Sequence, residues 1–108
     1  MAASVNTSGS QTATLTTEHT LATVSTAGTF QLAVDAANLV NGETVTLRIY
    51  GKARSTDTER LMWEASFSHG LTTPLLSSVP VVSPHHFKAT LEQNGGTGRA
   101  FPWAVYSL

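Results

Sequence analysis

Glu43-Thr44-Val45-Thr46-Leu47-Arg48-Ile49-Tyr50 alternates strictly, with Val45, Leu47 and Ile49 on one side and Thr44, Thr46, Arg48 and Tyr50 on the other. A period of two is that of a half-buried strand, whereas a helix would scatter the three aliphatics around its barrel. The inner row is aliphatic and mostly β-branched, and the outer row ends in a tyrosine, which suits a pleated surface. Asn41-Gly42 stands just before the run and tolerates the positive φ of a sharp turn. The stretch reads as the central strand of an all-β domain, continuing to Ala53.

Working outward, Thr29 to Asp35 alternates through Phe30, Leu32 and Val34. The period then breaks, and Asp35 can cap a single turn that packs Leu39 or Val40 on the core. On the other side, Arg54 to Thr58 is a polar connection leading to Glu59–His69, where Leu61, Trp63, Ala65 and Phe67 fall inward; the pair predicts a hairpin with an exposed tip, ended by Gly70. Leu71 to Pro84 contains Pro74, Pro80 and Pro84, so Leu75-Leu76 and Val79 to Val82 form only short or edge strands. His85 to Gln93 resumes alternation through Phe87, Ala89 and Leu91, and Asn94 to Gly98 predicts a hairpin turn. The last run, Arg99 to Leu108, sets Phe101, Trp103 and Val105 against Ala104, Tyr106 and Leu108. Before the centre, Gln11 to Thr17 and His19 to Ser25 read as two short strands. Met1 to Ser10 is small and polar, with almost nothing to bury, and reads as a flexible arm that orders only on a partner. About eight short strands joined by Gly, Asn and Pro turns define an antiparallel β-sandwich or jelly roll over residues 11–108.

The length of 108 residues allows one domain, large enough for a core without staples. There is no cysteine, hence no disulfide. A net charge of −1 provides no steering field for nucleic acid or an anionic membrane, and no apolar run approaches the roughly 20 residues that span a bilayer. The start has neither the basic nor the apolar segment of a signal peptide. Charged residues make up 12% of the chain, against a typical value of about 25%. Two explanations compete. Threonine-rich outer faces are ordinary in β proteins, or much of the surface is covered by neighbours, where charge is depleted.

Little in the sequence carries chemistry. The four histidines are His19, His69, His85 and His86, and the adjacent pair points to opposite faces of a strand, so no metal site is expected. No serine sits in a nucleophile elbow. Glu59 and Glu64 fall on opposite faces of a regular strand, which leaves a glycosidase pair unsupported. The glycine-rich Asn94–Gly98 precedes no helix and so is no phosphate loop. Trp63 and Trp103 are in phase with aliphatic inner rows and read as core, which leaves Tyr106 as the exposed ring.

The closing stretch Gly98-Arg99-Ala100-Phe101-Pro102-Trp103-Ala104-Val105-Tyr106-Ser107-Leu108, with Phe30 to Asp35, Gly42 to Tyr50 and Glu59-Arg60-Leu61, resembles small structural proteins of tailed bacteriophages. It is most similar to the cement or decoration proteins that coat a capsid. That resemblance implies a non-enzymatic virion component on the capsid surface, made in the host cytoplasm. Its partners would be the major capsid protein and further copies of itself, as a dimer or trimer, with no cofactor. The same resemblance admits a tail or baseplate component, and the aromatics admit a carbohydrate-binding module. Interface residues are expected at Tyr106, Leu108, Tyr50 and Arg48.

Overall fold

The computed structural model describes residues 3–69 and 73–108. They form an all-β sandwich of nine strands: β1 (Ser4–Thr12), β2 (His19–Val24), β3 (Gly28–Asp35), β4 (Thr44–Gly51), β5 (Arg60–Ser68), β6 (Leu75–Ser77), β7 (Val81–Ser83), β8 (Phe87–Asn94) and β9 (Ala100–Ser107). Sheet A runs β1-β9-β3-β6, with β7 also on β3, and sheet B runs β2-β8-β4-β5. All pairings are antiparallel. With β6 and β7 counted as one interrupted strand on β3, the partners are first with last, second with next to last, and so inward to the β4–β5 hairpin. That is a long hairpin rolled over on itself, the connectivity of a jelly roll.

The sequence opening run is central as expected: β4 lies between β5 and β8, and Val45, Leu47 and Ile49 are fully buried. The core joins them to Phe30, Leu32, Val34, Phe87, Ala89, Leu91, Phe101 and Val105, with Trp63, Phe67 and Trp103 partly buried against it. The turn after β3 packs Leu39 inward and leaves Val40 exposed. Asn41-Gly42 turns the chain with Gly42 at φ 87°.

Several expectations need correction. Ser4–Thr12 is no arm awaiting a partner: it pairs along β9, from Ser4 opposite Ser107 to Thr12 opposite Ala100. A strand on a sheet edge is held by its backbone and needs no apolar side chains. Gly9 is part of the reason it fits, since a side chain there would press on the Trp103 indole. Met1 and Ala2 of the expected arm lie outside the described residues, as do Gly70 and Leu71. The strand expected over Gln11–Thr17 ends at Thr12, and Thr14–Thr17 is a turn closed by the Thr17 amide on the Thr14 carbonyl, 3.2 Å, with Thr16 at φ 60°.

Leu61, expected inward, is 49% exposed. A bulge between Ile49 and Tyr50 sets Trp63 opposite Ile49 but Leu61 opposite Tyr50, so Met62 is the extra residue and the alternation slips by one. Asn94–Gly98 is not a hairpin turn either, because β8 belongs to sheet B and β9 to sheet A. It crosses from one sheet to the other. The central strand stops at Gly51, short of Ala53.

Candidate functional site

Antiparallel partners share a face, so the register assigns each outward side chain. On the outside of sheet B, Arg48 lies between Glu64 of β5 and Thr90 of β8, and Tyr50 between Leu61 and Lys88. Arg48 donates from Nε to Glu64 at 2.5 Å and from a terminal nitrogen to Glu92 at 2.8 Å, with Glu18 3.7 Å away. One Glu18 oxygen accepts from both the Tyr50 and the Thr90 hydroxyls at 2.6 Å. Glu59 takes Lys88 at 2.7 Å and His86 at 2.8 Å, and the Lys88 ammonium stands 4.8 Å from the centre of the Tyr50 ring.

The protonation shifts follow from these contacts. Hydrogen bonds from Glu92 and Glu64 raise the Arg48 pKa further. Partial burial pushes the Glu18 carboxyl up, but the Thr90 and Tyr50 hydrogen bonds and the charge of Arg48 outweigh it and hold it below the usual range. The same hydrogen bond to Glu18 pushes the Tyr50 hydroxyl up to about 12. Lys88, then His86, holds the Glu59 carboxyl down. Every charge on this face has a partner among the neighbouring strands, so the array spends its hydrogen-bonding capacity internally.

The outside of sheet A is built differently. β1, β3, β6, β7 and β9 together carry one charged residue, Asp35, and its carboxylate accepts the Ala37 amide at 3.0 Å. Register places Val5, Ser8, Ser10, Pro102, Ala104, Tyr106, Gln31, Ala33, Thr29, Leu75, Ser77 and Val82 outward. Val82, Leu75 and Val5 are 71%, 64% and 59% exposed. Between them lies a shallow depression of about 200 Å³, floored by Ala33 and Ala104 and bounded by Asp35, Leu75, Pro102 and Tyr106, with Trp103 at its side. Its small floor residues and apolar rim suit contact with another surface. It holds no set of groups that could move protons or ligate a metal.

The four expected interface residues therefore divide. Tyr106 is half-buried on the sheet A face, and Leu108, 38% exposed, follows β9 with its amide on the Thr29 carbonyl at 3.0 Å. Tyr50 and Arg48 are on the opposite face, held in the ionic array. The structure does not bring the two pairs together. Trp63 and Trp103 both pack against the core. No three of the His, Asp and Glu side chains converge as a metal site among the described residues.

Sequence reading missed the buried Glu43, whose carboxylate lies between three loops. It accepts the Val40 amide at 2.9 Å, the Thr97 amide at 3.1 Å and the Arg99 guanidinium at 2.9 to 3.1 Å. The Arg99 hydrogen bonds and then the two amides hold its pKa down to about 2 despite burial. Gly96, at φ 71°, leaves the room this carboxylate occupies. Gln93 completes the clip, donating to the Gly95 and Thr97 carbonyls and accepting the Arg99 amide. The available signal was Glu43 beside Asn-Gly, with a lone arginine after the glycine-rich loop. Nothing in the spacing joins residues 56 apart in sequence.

No protein-family model, curated protein or solved structure matches this chain.

Proposed function

We propose that this chain is a non-enzymatic structural protein of a virion, attached to the capsid lattice by the outer face of sheet A. The observation that supports this reading is the one-sided distribution of charge. If threonine-rich pleats alone explained the low charge of the chain, both sheets would share the depletion. Instead the strands of sheet B carry Arg48, Arg60, Glu64, Lys88 and Glu92, and those of sheet A carry Asp35. Charge is costly to desolvate and is depleted where one protein covers another. The jelly-roll connectivity agrees with the resemblance to phage decoration proteins, since viral capsid domains use it, although lectin domains do too and a fold does not choose between them. On a repeating shell, modest contacts from each copy add by avidity, and a protein that binds only the assembled shell stabilises it by mass action.

The test is co-sedimentation of the full chain with undecorated tailed-phage capsids, beside the Leu75→Glu variant. Binding by the unmodified chain and loss in the variant is the expected result. Recovery of the unmodified chain in the supernatant at micromolar concentration overturns the reading, as does equal binding by both. Shifts in tryptophan fluorescence on titration with bacterial surface polysaccharides, without capsid binding, would instead mark a carbohydrate-binding module.

A further inference from the structure

Each sheet ends in two edges, and three of the four are blunted against pairing with another chain. On one side of sheet A, β6 and β7 are three residues each, set among Pro74, Pro80 and Pro84. β5 carries Arg60 and Glu64. β2 has six residues, and a register break after Thr20 leaves Ala22 to Val24 as its longest continuous pairing. Short length, proline, charge and bulges are the usual protections of an edge strand. β1 has little of them: it is nine residues long with no charge and no proline, and its bulge near Asn6 leaves Thr7–Thr12 in unbroken register with β9. Its other side offers alternate backbone N–H and C=O groups with no strand beside them.

We infer that β1 pairs antiparallel with the β1 of a second copy about a twofold axis. Neutrality of the edge selects this occupant. A twofold contact sets each residue against its own kind of surface, so a charge on the edge would meet a like charge. A foreign strand would impose no such limit, because an opposite charge could answer any charge on β1. The strand offers serine, threonine, asparagine, glutamine, glycine and one valine. Cross-strand threonine and serine pairs stabilise an antiparallel ladder without fixing a charged register. The joined sheet places the two uncharged outer faces side by side, so a dimer would present double the surface proposed for capsid attachment. Only that consequence rests on the attachment reading; the pairing does not.

The experiment uses the full chain without capsids. Sedimentation equilibrium up to about 1 mM, which detects even feeble specific pairing, is combined with amide hydrogen exchange at high and low concentration. The expected result is a reversible dimer whose β1 amides gain protection as concentration rises. Ser8→Lys/Ser10→Lys, at two exposed outward positions of β1, is expected to stay monomeric and to unfold at the same temperature as the dilute unmodified chain. A monomer throughout the range overturns the inference. So does a dimer that the double-lysine variant also forms, or one whose β1 amides exchange as fast as in the monomer. If the variant fails to fold, exchange in the unmodified chain decides alone. Failure here leaves capsid attachment standing, and failure of attachment leaves this pairing standing.

Discussion

The two outer faces of the sandwich come from the same fold and similar strand lengths, yet they handle polarity in opposite ways. On sheet B, Arg48, Lys88 and the carboxylates of Glu18, Glu59, Glu64 and Glu92 are within reach of one another and pair across strands. On sheet A the outward row is alanine, serine, threonine, glutamine, tyrosine and exposed aliphatics. A face that stays in water loses nothing by bearing charge, and a face that is to be covered does. An average charge for the whole chain conceals this, since it divides one ionic surface by two. The comparison can be broken or sharpened by experiments that treat the faces separately.

The largest effect should come from the layer both faces share. Phe101 is fully buried on the inner side of β9, and Phe101→Ala is expected to cost about 3–5 kcal/mol, the usual range for emptying a large buried site. Chemical denaturation measures it. A loss below 1 kcal/mol would mean that sheet A does not depend on this core, and that its two faces cannot be treated as inside and outside.

Acid should next separate the sheets. The Glu43 carboxyl is depressed from 4.5 to about 2, and those of Glu18 and Glu59 are also depressed. A depressed folded-state pKa gives stability that is present above the unfolded value and is lost as pH falls through the folded one. For Glu43 that window runs from pH 4.5 down to about 2. Melting temperature should therefore drop across the window, and drop less in Glu43→Gln, which starts lower at neutral pH. Hydrogen exchange should locate the early loosening around Glu43 and Arg99 and across sheet B. Uniform loosening, or loosening that begins in sheet A, would remove the electrostatic distinction between the faces.

The sequence revealed the inner layer better than either outer face. Alternation in β3, β4, β8 and β9 marks the buried rows because a strand has a strict period of two and these rows are aliphatic or aromatic. Leu61 failed that rule because one bulge residue reverses the alternation, and the bulge depends on pairing with β4. Ser4–Thr12 escaped for another reason: an edge strand that contributes mainly its backbone has no apolar pattern to read. The faces were hidden further still. Whether Glu18 meets Arg48, or Tyr106 stands above Ala33 and Ala104, depends on register between strands far apart in the chain, and composition gives no register. Tyr106 and Arg48 could be named as outward, but not as belonging to opposite sides.

A smaller effect is expected at Arg48. Its side chain is 22% exposed and answers Glu64 and Glu92 directly. Arg48→Met keeps the packed stem and leaves these carboxylates facing one another without their cation. Exposed pairs contribute little each, so the expected loss at neutral pH is about 1 kcal/mol. It should shrink as the carboxylates protonate in acid. A loss independent of pH would show that the stem, not the charge, supports sheet B.

The smallest expected change in stability is the most informative one for function. Leu75 is 64% exposed on the rim of the sheet A depression, and Leu75→Glu adds a carboxylate near Asp35. Surface substitutions away from caps and buried networks usually lie within about 0.5 kcal/mol, so unfolding should hardly change. Attachment should suffer far more, because a new charge at the centre of a contact must be desolvated without a partner. The matching change on the other side, Glu64→Leu, removes a charge from sheet B, where Arg48 retains Glu92. It should leave capsid binding intact. Co-sedimentation of both variants, alongside their melting curves, reads the two faces against each other. If Glu64→Leu abolishes binding and Leu75→Glu does not, the covered face is sheet B, and the lack of charge on sheet A requires another cause.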